Sequence, residues 1–136
     1  MQLSLCQTKT PLMLKNEFFV VTGIKYTDNN NFSALIDLNS SHPIFKGHFP
    51  GSPVVPGVCF IQIIREILEE VFSRKLYVKE VSNIKFMAIA NPEIDNILEL
   101  NYSLEHLSDT EIQAKVNISY NNKTYLSFKG KFDQSF

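Results

Sequence analysis

The sequence predicts an α+β domain in which one long antiparallel sheet is curled around a single central helix. Three observations carry this. Several segments alternate apolar and polar residues with a period of two, one segment from 57 to 73 has helical period, and that helix has only a narrow polar stripe. A helix apolar on most of its surface needs cover on most sides, which one curled sheet supplies economically. Two strands, a helix and then a run of strands is not the βαβ order of a dinucleotide-binding domain.

The first strand is FFVVTGIKY, residues 18–26, with Phe18, Val20, Thr22, Ile24 and Tyr26 on one face. The second, residues 32–38, aligns Phe32, Ala34, Ile36 and Leu38. TDNNN between them is a turn, because Asn and Asp tolerate turn backbones and bond locally. A loop covers 39–56 and the helix 57–73. Beyond it, Ile84, Phe86, Ala88 and Ala90 share a face of a strand ending near Pro92, and Leu98, Leu100, Tyr102 and Leu104 mark another. Ile112, Ala114, Val116, Ile118 and Tyr120 give the clearest alternation. Asn121 and Asn122 then make a tight turn into a last strand bearing Thr124, Leu126 and Phe128.

The chain has 136 residues and 44% hydrophobic content, which suits a single domain 1–136 with its core over about 18–133. A net charge of −1 argues against a broad nucleic-acid or anionic-membrane surface. No Walker pattern or compact Cys/His/Asp/Glu cluster signals a mononucleotide or a metal. Cys6 and Cys59 form no framework, and Cys59, inside the apolar run, reads as a buried free thiol that fits a reducing compartment. No signal-like start and no bilayer-length apolar run are present, so a soluble, cytoplasmic protein is expected.

The most informative stretch is HPIFKGHFPGSPVVPGVCFIQIIREILEE, residues 42–70, which holds four of the six prolines and three of the five glycines by residue 57. Pro50 and Pro53 fix φ, while Gly47 and Gly51 reach backbone states closed to other residues. Within it, HFPGSPVVPGV, from His48 to Val58, resembles the signature of the 3-hydroxyacyl-[acyl carrier protein] dehydratases, the single-hotdog enzymes of fatty-acid synthesis. HPIFKGHFPG is similar to their approach to the catalytic loop, and IKFMAIANPEID to their third-strand region.

The resemblance implies a hotdog fold and a homodimer, or an assembly of dimers, with two active sites between subunits. It also implies no permanently bound cofactor. The substrate would be an acyl group on the phosphopantetheine of acyl carrier protein, or on coenzyme A. The family's catalytic His matches His48, and the glycine whose N–H holds the thioester oxygen matches Gly57. Phe49, Pro56 and Val58 flank these as substrate-binding candidates. The family's carboxylate comes from the partner subunit, fourteen residues after the His, where this chain has Gln62.

Neutral imidazole suits removal of the weakly acidic α-proton, because its pKa lies near neutrality. The unpaired N–H groups at the start of the helix suit the charge that gathers on the thioester oxygen. An amide cannot donate a proton as a carboxylic acid does. Glu66 lies one turn beyond Gln62, about 6 Å along the axis, on a polar stripe shared with Glu69 and Ser73. Its ordinary reading is surface or helix pairing; if it reaches back it acts directly or through water. Otherwise His48 performs both steps, or the pocket is a thioesterase or a catalytically impaired acyl-carrier-binding subunit. His42 reads as structural, His106 carries no signal, and Lys46, Arg65, Arg74 and Lys75 are available to an acidic carrier.

Overall fold

The computed structural model describes residues 15–45 and 53–134. The elements are β1 (Phe19–Tyr26), β2 (Asn31–Leu38), a 3-10 turn (Pro43–Phe45), α1 (Gly57–Phe72), β3 (Leu76–Phe86), β4 (Ile97–His106), β5 (Glu111–Tyr120) and β6 (Lys123–Gln134). The strands form one six-stranded sheet in the order β1-β2-β4-β5-β6-β3, antiparallel throughout.

This is a hotdog-like α+β arrangement, but the expected curled sheet wrapped around the helix is corrected. The sheet is open, with β1 and β3 as its two edges. The physical reason lies on the polar stripe of the helix, which is covered by chain at Lys15 instead of by a strand. The Lys15 N–H donates to Glu66 Oε1 at 2.8 Å, and its Nζ to Glu70 Oε1 at 2.6 Å. A stripe satisfied in this way leaves only the apolar side of α1 for the sheet to cover.

That apolar side packs as the periodicity predicts. Ile63, Ile64, Ile67 and Leu68 are fully buried with Leu98, Leu100, Ala114, Ile118, Leu126 and Phe132 from the central strands. Tyr102 stacks on Phe32 at 4.4 Å between centroids and donates its hydroxyl to the Ile64 carbonyl at 3.0 Å. Burial raises this hydroxyl well above the usual tyrosine range. Asn121 and Asn122, with φ of 54° and 68°, make the two-residue turn that pairs Tyr120 with Lys123. Cys59 is buried and disulfide-bonded, which corrects the free-thiol reading. No helix among the described residues is long and apolar enough to cross a membrane.

Two strands depart from the simple alternation. A bulge between Val21 and Gly23 shifts β1 by one residue, so Phe19 and Val21 face the core with Ile24 while Val20 faces out, and the buried Phe18 lies in the turn ahead of the strand. β3 begins at Leu76 and ends at Phe86, so the strand placed over 84–90 starts and stops earlier. It is an edge strand with two bulges, and its Lys79, Glu80 and Ser82 are exposed, which erases the period.

The segment after β3 is pinned from below. Met87 and Ala88 both donate backbone N–H to the Tyr125 carbonyl, at 2.9 and 3.4 Å. The Tyr125 hydroxyl donates to Asp95 Oδ1 at 2.7 Å, and Asp95 Oδ2 accepts the Asn91 N–H at 2.9 Å. Burial pushes the Asp95 carboxyl up, but these bonds and Lys123 outweigh it and the net shift is downward. Burial and the bond to Asp95 push Tyr125 up to about 12.

The Asp95 contribution to stability is therefore present above the unfolded carboxylate value, roughly pH 4. It is lost as pH falls through the lowered native value. Tyr125→Phe is expected to cost roughly 1.5 to 3 kcal/mol in denaturant titrations and to move the acid unfolding limb to higher pH. An unchanged acid limb would show that this bond does not hold the loop.

Candidate active site

The helix entry is built from Val55, Pro56 and Gly57. Pro56 is the N-cap in extended conformation, φ −62° and ψ 144°, with no side-chain cap bond. Cys59 donates its N–H to the Pro56 carbonyl at 3.0 Å. Gly57 and Val58, ahead of it in the first turn, carry the N–H groups that an α-helix cannot pair internally. Their position at the positive end of the helix suits an oxygen that gains charge.

Gly57 supplies room. A Cβ there would lie 2.7 Å from Cζ and 2.9 Å from Cε1 of Phe86, whose ring leans on the helix start from the end of β3. That ring is 55% exposed, so it is free to swing. Gly57→Ala should therefore change stability by less than about 1 kcal/mol, because gained helix propensity offsets the clash. In the Phe86→Ala background the clash is gone, and Gly57→Ala should stabilise by roughly 0.5 to 1 kcal/mol in denaturant titrations. Identical effects in both backgrounds would contradict the contact.

His48 and Phe49 lie outside the described residues, as does Lys46. Gln62 and Glu66 are placed, and both are buried at 1% exposure, which corrects the surface reading of Glu66. Gln62 donates Nε2 to Glu66 Oε2 at 2.7 Å, and Glu66 Oε1 accepts the Lys15 N–H. The amide thus turns its NH2 toward Glu66. Glu66 thereby orients Gln62 and anchors the chain ahead of β1. Gln62 lies about 7.5 Å and Glu66 about 13.5 Å along the helix from Gly57, and the Gln62 amide is turned to Glu66, away from its own helix entry.

The remaining candidates are quickly placed. His42 accepts the Ile44 N–H on Nδ1 at 3.1 Å and meets the Phe18 ring edge-on, a structural role as expected. His106 packs edge-on against Phe72. Arg65 donates to the Leu76 carbonyl at 3.2 Å and Arg74 to Gln134 at 3.1 Å. Both thus close the far end of the helix. No group of three or more His, Cys, Asp or Glu among the described residues is placed to hold a metal. The sequence reading missed Phe86 as a neighbour of Gly57 and Lys15 as a neighbour of Glu66. The second had no local signal, since the partners are 51 residues apart.

A family model described as "ApeI-like: ApeI dehydratase" matches residues 24–128. Among curated proteins, the chain is 27% identical over 85 residues to the 3-hydroxyacyl-[acyl-carrier-protein] dehydratase FabZ of Wolbachia pipientis wMel, covering 57% of this chain and 59% of that protein. The chain thus spans less than two thirds of the curated relative it matches. Among solved structures, the dehydratase heterocomplex ApeI:P from Xenorhabdus doucetiae aligns with a TM-score of 0.67 at 17% identity, over 85% of this chain and 97% of that one. A hypothetical thioesterase with coenzyme A from Streptococcus pneumoniae TIGR4 aligns at 0.58 and 10% identity, over 86% and 85%. At these identities the two structures share the fold.

Proposed function

Because the chain belongs to the ApeI-like dehydratase family, we propose that it dehydrates 3-hydroxyacyl thioesters to trans-2-enoyl thioesters, with the acyl group on acyl carrier protein. The observation that carries this is the uncapped helix start at Pro56 and Gly57, directly after a loop that matches the family's catalytic signature. His48 takes the α-proton, and the C–H electrons move toward the thioester oxygen, which rests on the Gly57 N–H. Their return forms the Cα–Cβ double bond and expels the 3-hydroxyl. His48, now protonated, gives that proton to the leaving oxygen, and water departs.

Gln62, buried in the single subunit, would hold the hydroxyl of a second subunit's substrate only with the chain at Lys15 drawn back from the helix on assembly. A homodimer is the simplest assembly that joins the two, and Phe49, Pro56 and Val58 would wall the thioester. The carboxylate expected at position 62 is absent, so the proton must come from His48. General acid–base help of this kind is typically worth 10²- to 10⁴-fold, which makes a slow dehydratase the expected result.

The neutral amide also favours a second reading, a thioesterase in which Gln62 places a water against the carbonyl. Purified protein with short- and medium-chain 3-hydroxyacyl carriers separates the two. Enoyl absorbance without free thiol supports dehydration; free thiol without enoyl product replaces it with hydrolysis. The relative from Xenorhabdus doucetiae is a dehydratase heterocomplex. Carrier binding without either reaction would therefore identify this chain as the acyl-binding member of such a pair.

A further inference from the structure

The outer face of the sheet carries a charge arrangement that folding alone does not favour. Ala114, Val116, Phe128 and Phe132 are buried in the core shared with α1, so the residues between them on β5 and β6 point away from the helix. On that outward side Lys115 of β5 stands directly opposite Lys129 of β6, and Lys129 stands opposite Asn83 of β3. Directly opposed residues have Cβ atoms about 5 Å apart, and like charges placed so destabilise a sheet. Lys131, two residues along β6, and Lys85, two residues along β3, continue the same face.

Elsewhere the cations stand beside acids. Lys79 pairs with Glu111, Lys123 with Asp95 at 3.7 Å and Lys131 with Glu80 at 3.8 Å. Among the described residues no carboxylate pairs with Lys85, Lys115 or Lys129. Glu105 on β4 lies diagonally from Lys115 but accepts from Gln113 Nε2 at 3.4 Å. The positions that adjoin the three lysines across the strands are small and neutral: Ser103, Asn83 and Ser127.

We infer that the face built by Lys85, Lys129 and Lys115 docks an acidic segment of a protein partner, on the side of the sheet away from the helix. A carboxylate-bearing chain laid across β3, β6 and β5 meets one ammonium group after another and relieves the repulsion that the free sheet bears. The serines and asparagines between the charges supply neutral hydrogen-bonding groups for its backbone. A nucleic acid fits poorly, because no arginine and no aromatic ring stands among these lysines for bases to stack on. The net charge of −1 on the whole chain also works against a polyanion that extends beyond the patch. A bilayer fits poorly too, since this row of residues offers no apolar side chain to enter it.

Fluorescence anisotropy of a labelled peptide of alternating Glu and Ala tests the inference on wild type, Lys115→Glu, Lys129→Gln and Lys25→Glu. Lys25 is an exposed lysine of β1, and its reversal changes the net charge as much as that of Lys115. Wild type and Lys25→Glu should bind saturably and more weakly as salt rises. Lys115→Glu should weaken binding by roughly tenfold or more, and Lys129→Gln by a smaller factor. In thermal unfolding without peptide, Lys115→Glu should melt above the wild type, because it sets opposite charges across the pair. Loss of binding together with a higher melting temperature separates a docking role from a structural one.

Equal losses in Lys115→Glu and Lys25→Glu, or no saturable binding by the wild type, would overturn the docking face. So would a Lys115→Glu protein that melts no higher than the wild type. A single-stranded oligonucleotide and vesicles containing phosphatidylserine are titrated alongside, and tighter binding of either than of the peptide would refute a protein partner.

Discussion

Gln62→Glu is expected to accelerate enoyl formation by roughly 10²- to 10⁴-fold, restoring a proton donor at the position where the resembling enzymes carry one. The structure sharpens the chemistry of that variant. The amide nitrogen of Gln62 is 2.7 Å from Glu66 Oε2, so a glutamate there meets a second buried carboxylate. Two carboxylates at this distance cannot both ionise, and the pair holds one proton to a pH well above the ordinary carboxylate range. The shared proton is what a general acid near neutrality requires.

The same repulsion works against folding. With the apparent native pKa raised, the variant is stabilised relative to its charged state at low pH and loses stability as pH rises through the raised value. Glu66→Gln combined with Gln62→Glu reverses donor and acceptor while keeping the carboxylate–amide bond. The double variant should escape the loss of stability at high pH but, with no second carboxylate to share the proton, should gain less rate than Gln62→Glu alone. Single and double variants both as slow as wild type would show that position 62 does not face substrate in the assembly.

His48→Ala should lower enoyl formation by at least 10²- to 10⁴-fold, and the loss should exceed that of any other single substitution in the loop. In the proposed mechanism His48 both removes the α-proton and returns one to the leaving hydroxyl, since Gln62 cannot share the work. His48→Gln retains hydrogen bonding but no base and should be equally slow. A pH profile of kcat/KM for the wild type should therefore fall on the acid side, where the base is protonated. A rate that survives His48→Ala would sink the mechanism.

The sequence made the central strands legible because each has one buried face. Leu98, Leu100 and Tyr102, and Ile112, Ala114 and Val116, alternate against polar neighbours and are all buried. The edges were harder. β3 pairs on one side only and carries two bulges, so its side chains follow no single period, and its first half escaped the reading. The helix was placed correctly, but Glu66 on its polar stripe was read as surface or helix pairing. Gln62 and Glu66 are buried because Lys15 closes over them, a contact between residues far apart in the chain. That same contact removed the reason for a sheet curled around the helix. Of the site, Gly57 stood out through its proline neighbour and the helix that follows. Its closeness to Phe86 depends on how β3 ends beside the helix, which no local pattern encodes.

The most direct test of the reaction is to incubate a trans-2-enoyl carrier with the protein in heavy water and follow the product by mass spectrometry. Reversible dehydration predicts a 3-hydroxyacyl carrier that has gained one water and carries one deuterium at the α-carbon, with no such product from His48→Ala. Release of free acid and carrier thiol, with no 3-hydroxyacyl product, would contradict the account.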